Sequence, residues 1–509
     1  MNKEQKTTFY IFVLAVALIV WKIWVLYSGA RIYGYIVPPG QDPINHLTII
    51  QGIMSGHWNA TYPPLFHASV VFISRLFSID PLTILKNLSP LLVLLPPIAI
   101  YIFLSKNFSR LAGIIGFTVT ILSSNYGLVA YGDGNYPNIL SAGFFMPIAL
   151  AYIVKAFKEK PRKNVSLALI FILLMILTHH LTTALFLGVF IPYLIILTIW
   201  NKYDQIVPRL NKVVIALLAC LAIGAVVIFS TSLKDIFLQA LESLRANGSV
   251  LQNTTFLKIP TLSECSQMMG EFPFYLGLGA MIYLAVMLSR SKSEANKPGI
   301  ILILIWFFVI FLLSRSSFVS LPSRIAREMG VPILLAIGVF MADILGPLKY
   351  KSSKIIVVGV LAIFIACSVV QVNAGAYQAP DFFSKMILFW PADKEKINFV
   401  NDFIGSNEKV LANPSSPYLE YFGGGKIVID DSPYGQNEVI LDKISKTGAS
   451  YLMIINSFKP NPFEANIAAD NATKERLKAF ATDYSLETFT TFPDGSIIYK
   501  LGPALTLSD

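Results

Sequence analysis

Long unbroken apolar runs dominate this chain and decide what it can fold into. Runs able to span a bilayer, counting short tilted ones, fall at about 8–28, 85–105, 111–130, 137–157, 165–182, 183–200, 212–230, 273–289, 299–314, 329–346 and 354–372. They predict a polytopic α-helical membrane protein with about 11 transmembrane helices. Only 14% of the 509 residues are charged, against roughly 25% in a soluble protein. That excludes a soluble enzyme, a disordered chain and a fibrous repeat. The first run is too long for a removed signal peptide, lacks a small-residue cleavage site, and reads as an anchor.

Orientation follows from the basic residues. The connection at 155–163 holds Lys155, Lys158, Lys160, Arg162 and Lys163, so it is cytoplasmic. Alternation then places Lys202, Arg209 and Lys212 on the same side. Arg290, Lys292 and Lys297 join them, as do Lys349, Lys351 and Lys354. Lys106, Arg110, Lys3 and Lys6 fit only if the apolar stretch 62–79 does not cross, so it is expected to lie in the outer leaflet. The N-terminus is then cytoplasmic. Residues 1–372 form the transmembrane domain, with outer loops 29–84, 131–138, 231–272 and 315–328. A connector follows at 373–390. Segment 391–509 is expected to be an extracytoplasmic α/β domain. "ADKEKINFVNDFIG" and "ATKERLKAFATDY" read as helices, and "KVLANP", "KIVIDD" and "YLMIINS" as strands. "LETFTTFPDGSIIYKL" reads as a hairpin turning at Pro493-Asp494-Gly495.

The net charge of +10 is unevenly spread. Residues 1–372 carry 28 Lys and Arg against 13 Asp and Glu, whereas 373–509 carry 12 against 17. The positive charge sits largely in cytoplasmic loops, so no nucleic-acid partner is implied. Three cysteines make no disulfide framework: Cys220 and Cys367 lie in apolar runs and Cys265 stands alone in a loop. No Walker A, GxGxxG, HExxH or CxxC motif occurs, which argues against ATP coupling. Asn247 and Asn471 begin Asn-X-Ser/Thr sites in outer segments, a common motif. Lys22 is the one charge deep in the first span, and is expected to snorkel along its helix.

Polar residues gather at the outer face. All five histidines, His46, His57, His67, His179 and His180, map to outer loops or outer span ends. Asp42 opens "QDPINHLTIIQGIMSGH", and Asp followed by Pro is a plain helix start. His46 lies one turn on, on the same face. Ile44, Leu47, Ile50, Ile53 and Met54 lie opposite, so the helix is expected to rest flat on the membrane. Asp133 sits in "YGDGNYP", which is either a tight turn or a second carboxylate across a cavity from Asp42. Adjacent His179 and His180 point about 100° apart on a helix, so one of them is expected to join a site. Thr182 and Thr183 follow them like a cavity wall. Tyr62-Pro63-Pro64 enters the stretch that carries His67. Arg315, Arg324 and Arg327 lie outside against the orientation bias. Arg324 and Arg327 share a helical face, and their forks suit phosphate oxygens, of a substrate or of ordinary lipid.

This pattern resembles the GT-C superfamily of membrane glycosyltransferases, which use polyprenyl-phosphate sugars. Asp42 in "QDPINH" matches the first-loop acid, and "YPPLFHASVVF" resembles the segment after it in prokaryotic members. Asp133 in "GDGNYP" takes the place of a second acid. "THHLTT" resembles a span-end stretch, and Arg324 or Arg327 matches the late arginine that holds lipid phosphate. The chain has no first-loop Asp-Glu pair, no DxD in its first two outer loops and no WWDYG-like stretch, so it is identified as a member of unassigned subfamily. The resemblance implies a prokaryotic plasma-membrane enzyme that moves a sugar from a lipid-linked donor to a glycan, lipid or protein acceptor outside. It implies Asp42 and Asp133 as catalytic residues, and His46, Tyr62, His67, His179, His180, Arg324 and Arg327 as substrate-binding ones. A divalent metal, Mn, Mg or Zn, would sit on Asp42, Asp133 and His46. The rival reading is a transporter or flippase-like protein with a polar outer cavity and no chemistry.

Overall fold

The computed structural model describes residues 3–34, 36–40, 42–57, 62–123, 127–159, 161–200, 259–290, 296–316, 322–345, 391–413, 417–429, 436–456 and 464–502. The expected spans 212–230 and 354–372 lie outside these residues, as do Cys220, Cys367, Asn247 and the connector 373–390.

Helices account for the first part of the chain. They are α1 (Lys3–Leu26), α2 (Ser28–Tyr33), α3 (Asp42–Met54), α4 (Leu65–Phe77), α5 (Pro81–Leu88), α6 (Leu95–Asn107), α7 (Arg110–Leu122), α8 (Leu128–Gly132), α9 (Tyr136–Leu140), α10 (Met146–Lys158), α11 (Pro161–Ile176) and α12 (His180–Trp200). Further helices cover Leu262–Met269, Glu271–Arg290, Lys297–Ser314, Pro322–Arg327 and Gly330–Leu345. Among the described residues, six continuous stretches are long and apolar enough to cross a membrane: Pro81–Asn107, Tyr136–Lys158, His180–Leu197, Glu271–Ser289, Lys297–Ser314 and Pro322–Leu345. The protein is therefore a multi-pass membrane protein.

Prolines explain the irregular places. Pro90, Pro96 and Pro97 lack the N–H that α-helical bonding needs, and the chain runs as a 3₁₀ helix over Ser89–Leu94 between α5 and α6. Pro147 would clash with a carbonyl one turn back, and a π-turn over Ser141–Phe145 relieves it. The run expected at 165–182 is interrupted: α11 stops at Ile176 and α12 starts at His180. With 13 residues, α4 is about 20 Å long, too short for a bilayer core of about 30 Å. Cys265 is not in a loop but buried on the helix Leu262–Met269.

Two compact units divide the chain. The first comprises Met1–Tyr27, Ile49–Tyr131 and Asn135–Ala379. Within it α6 packs on α7 and α10, α10 on α11, and Gly330–Leu345 on α7 and Glu271–Arg290. Along α1, Val13, Val16, Val20 and Trp24 are exposed, whereas Leu18, Lys22, Val25 and Leu26 form the buried face. Lys22 is thus on the inner face, only 2% exposed, and does not snorkel. Its ammonium donates to the Ser123 carbonyl (3.1 Å) just past the end of α7. A cation at a helix C-terminus gains at most about 2 kcal/mol. Dehydrating it costs several kcal/mol.

The second unit comprises Ser28–Thr48, Gly132–Gly134 and Pro380–Asp509. Its sheet has strands β1 (Val410–Asn413), β2 (Ile427–Ile429), β3 (Tyr451–Ile454), β4 (Glu487–Thr491) and β5 (Ile497–Lys500), in the order β2-β1-β3-β5-β4. β1 pairs in parallel with β2 and β3, with Val410 opposite Ile427 and Tyr451. β5 runs antiparallel to β3 and β4. Helices Pro391–Phe403, Asn437–Thr447 and Glu464–Asp483 supply the rest of the α/β pattern, and Leu411, Leu452, Ile440, Ile444, Leu477 and Phe480 form its core. The three strands and the β4–β5 hairpin lie where the sequence predicts them. The short helix Pro417–Phe422 and the helix Asn437–Thr447 carry no reading at the sequence level.

Candidate functional site

The first grouping lies in the second unit, around Asp42. Pro43 presets the backbone for the first turn of α3, and Asp42 stands in that turn, where the helix dipole favours a carboxylate. His46 follows one turn later. It is buried, as are Ile44 and Leu47, so burial is not confined to the apolar face. Its Nε2 lies 3.1 Å from the Gly134 carbonyl. A carbonyl only accepts, so Nε2 carries the proton and donates.

Two glycines bring the acids' segments together. Gly40 has φ +94°, and a Cβ there would meet the backbone carbonyl of Gly132 and stand 2.6 Å from the Asp133 carbonyl carbon. Gly134 has φ +77°, and a Cβ there would strike the Pro43 ring. The segment leading into Asp42 is therefore in backbone contact with the turn that carries Asp133. Asp42 and Asp133 are both half-buried. The sequence shows these glycines only as turn formers, but a glycine within two residues of each acid was the available signal.

Tyr418, on the helix Pro417–Phe422, is fully buried, and its hydroxyl donates to the Pro38 carbonyl (3.4 Å). Burial pushes this phenol well above its usual range, and the negative charge of Asp42 adds to the shift. Nothing in "SSPYLEYF" signals that role.

The residues expected to hold a metal do not fit one. Asp42, Asp133 and His46 do not form a ligand set, and among the described residues no three His, Cys, Asp or Glu side chains do. His46 Nε2 donates to the Gly134 carbonyl, so the lone pair of this ring is on Nδ1.

The second grouping lies in the first unit. The Leu65 N–H donates to the Leu177 carbonyl (2.8 Å), tying the start of α4 to the chain between α11 and α12. Tyr62 then becomes a hub. Its ring centroid lies 5.3 Å from His67, 5.3 Å from His180 and 6.0 Å from His179. His179 and His180 stack at 5.4 Å. Both join one cluster, against the expectation of one, because His179 precedes the helix and escapes its 100° rotation. Its Nδ1 accepts the Thr182 N–H (3.3 Å), as an N-cap does. His57 is exposed, bonded to Ser55 and apart from this cluster.

A buried chain of polar groups continues from there. Thr182 Oγ1 lies 2.9 Å from His179 Nδ1 and donates to Asn138 Oδ1 (3.1 Å). Asn138 Nδ2 donates to Glu328 Oε1 (2.6 Å), which stands 3.8 Å from Arg327 Nε. All five residues are buried. Arg324 and Arg327 share the six-residue helix Pro322–Arg327, but Arg324 is only half-buried. Arg315 turns elsewhere, donating to Cys265 Sγ (3.3 Å). Burial pushes the Cys265 thiol up, partly offset by Arg315. Sequence reasoning missed Asn138 and Glu328, whose partners are 44 and 190 residues away.

No protein-family model matches this sequence, and no curated protein sequence does. Solved structures do match the fold. The apo oligosaccharyltransferase of Archaeoglobus fulgidus aligns at TM-score 0.62 and 12% identity, over 96% of this chain and 74% of that one. Apo ArnT from Cupriavidus metallidurans aligns at 0.59 and 14%, over 99% of this chain and 100% of that one. The arabinofuranosyltransferase AftD from Mycobacteria aligns at 0.58 and 14%, over 96% of this chain and 40% of that one. The chain shares the fold of these three membrane-enzyme structures.

Proposed function

We propose that this GT-C-fold chain is an integral membrane glycosyltransferase. It moves a sugar from a polyprenyl-phosphate donor to a glycan, lipid or protein acceptor on the extracytoplasmic face. The observation that carries the reading is the packing of the Asp42 segment against the Asp133 turn through Gly40, Pro43 and Gly134. Catalysis needs acids held in fixed geometry, and a surface helix start would not require two positive-φ glycines, each packed against the segment of the other acid. The neighbours add support: ArnT from Cupriavidus metallidurans has been solved with undecaprenyl phosphate, and the Archaeoglobus fulgidus enzyme with a dolichol-phosphate.

In this mechanism Asp42 takes the proton of the acceptor's attacking group as it bonds to the sugar's anomeric carbon. The bond from that carbon to the phosphate oxygen breaks, and its electron pair leaves on the lipid phosphate. Arg327 and Arg324 stabilise the growing charge. Glu328 engages the Arg327 Nε edge and fixes the guanidinium's orientation. Asp133 holds a sugar hydroxyl, and Tyr62 with His67, His179 and His180 forms a polar aromatic wall for the donor. The layout has about eleven crossings, with the N-terminus cytoplasmic and residues 391–509 outside.

The test is to incubate purified protein with polyprenyl-phosphate sugars and acceptor extracts and to follow free polyprenyl phosphate. Lipid phosphate should appear with wild type. A protein that moves the intact lipid-linked sugar without cleaving it would be the transporter instead.

A further inference from the structure

The buried chain of polar groups from His179 to Arg327 has an amide at its centre, and its chemistry requires one. A carboxylate only accepts, so the atom of Asn138 that lies 2.6 Å from Glu328 Oε1 is the amide nitrogen. Asn138 Oδ1 then faces Thr182. An amide oxygen also only accepts, so the Thr182 hydroxyl donates to it at 3.1 Å. Asparagine meets both demands at once, a donor toward Glu328 and an acceptor toward Thr182. Aspartate would bring only acceptors, and an aliphatic side chain would bring neither. Thr182 is 0% exposed and Asn138 5%, so water does not compete for these bonds.

The Glu328 oxygen that takes the Asn138 bond is the same atom that stands 3.8 Å from Arg327 Nε. Asn138 and Arg327 therefore meet at one oxygen, and an amide that fixes this carboxylate also fixes the charge the guanidinium faces. The element that carries Asn138 is tied to the histidine segment at a second point. α9 runs into the π-turn over Ser141–Phe145, and Ser141 Oγ donates to the Met175 carbonyl (3.4 Å) near the end of α11. The His179 N–H donates to that same carbonyl (3.0 Å). Single π-turns recur at functional sites, because they shift the side chains around them out of helical spacing.

We propose that Asn138 is a positioning residue for the lipid-phosphate site: through Glu328 it orients Arg327, and through Thr182 it ties that arginine to the segment carrying His179. The inference rests on the lipid-phosphate role given to Arg327 above. It adds that the phosphate-holding arginine and the histidine wall are set as one unit, with Asn138 as the joint between them. Asn138 itself touches neither lipid nor sugar in this arrangement.

The test uses full-length protein in detergent with undecaprenyl phosphate as the probe, its affinity read from ligand-dependent gains in melting temperature. Asn138→Asp sets acceptor against acceptor and should bind the lipid about tenfold more weakly than wild type. Thr182→Val, at the far end of the chain, should bind about three- to tenfold more weakly. Thr182→Ser keeps the hydroxyl and should bind as wild type does. In an Arg327→Gln background, Asn138→Asp should weaken binding no further. A network that only stabilises the fold predicts lower melting temperatures with unchanged affinity, or an equal loss of affinity with and without Arg327; either result overturns the proposal. Should Asn138→Asp not fold, Thr182→Val and Thr182→Ser decide the matter by the same measurement. Absence of binding by wild type also overturns it. Wild type that binds undecaprenyl phosphate but releases none from a polyprenyl-phosphate sugar removes the transferase reading and leaves the positioning role standing.

Discussion

Gly134 shows how much rests on single atoms. Its φ of +77° and its contact with the Pro43 ring leave no room for a methyl group. Gly134→Ala should cost about 1–3 kcal/mol and reduce transfer, because Pro43 and with it Asp42 must shift. Denaturant melts and the release assay read both; an alanine variant with unchanged stability and rate contradicts the close packing. Asn138 is a second such residue, donating to Glu328 and accepting from Thr182. Asn138→Ala should cost about 1–3 kcal/mol by removing a hydrogen bond to a buried carboxylate, and a double-mutant cycle with Thr182→Val should be non-additive. Asp42 and Asp133 were singled out in the sequence because acids in apolar surroundings stand out, and the structure brings their segments into contact. Glu328, Asn138 and Tyr418 were not, since their roles come from partners brought together only by folding.

Among the elements, the β4–β5 hairpin was readable because Pro493-Asp494-Gly495 is a turn signal, and Gly495 indeed has φ +82°. The buried Lys396 behind it was not: it pairs with Asp393 at 3.1 Å and with Asp494 at 2.7 Å, 98 residues away. Burial pushes the Asp494 carboxyl up. Bonds from Lys396 and the Ser496 N–H outweigh that and hold it below the usual carboxylate range. Its contribution to stability is thus complete above the unfolded value near about 3.9 and is lost as pH falls through the lower folded value. Melting temperature followed from pH 7 to pH 2 should fall less in Asp494→Asn than in wild type; parallel curves would sink the assignment. The break between α11 and α12, expected between the runs 165–182 and 183–200, lies a few residues earlier, because α11 stops at Ile176 and a histidine caps the start of α12.

At the scale of the whole molecule, hydropathy made the membrane class legible, and the basic loops gave a parity that leaves 62–79 uncrossed. The 13-residue α4 is consistent with that. The grouping of Ser28–Thr48 and Gly132–Gly134 with the C-terminal domain was invisible, because it depends on contacts such as Tyr418 with Pro38 across 380 residues. Cysteines placed at residues 4 and 509 should label from the cytoplasmic and the extracytoplasmic side respectively, and labelling of both from one side contradicts the parity. The proposed transfer depends on Asp42 taking the acceptor's proton. The most direct test is the rate of polyprenyl phosphate release by purified wild type and Asp42→Asn at equal expression and equal melting temperature. A fall of about 10²–10⁴-fold is expected, and an unchanged rate would rule out Asp42 as the base.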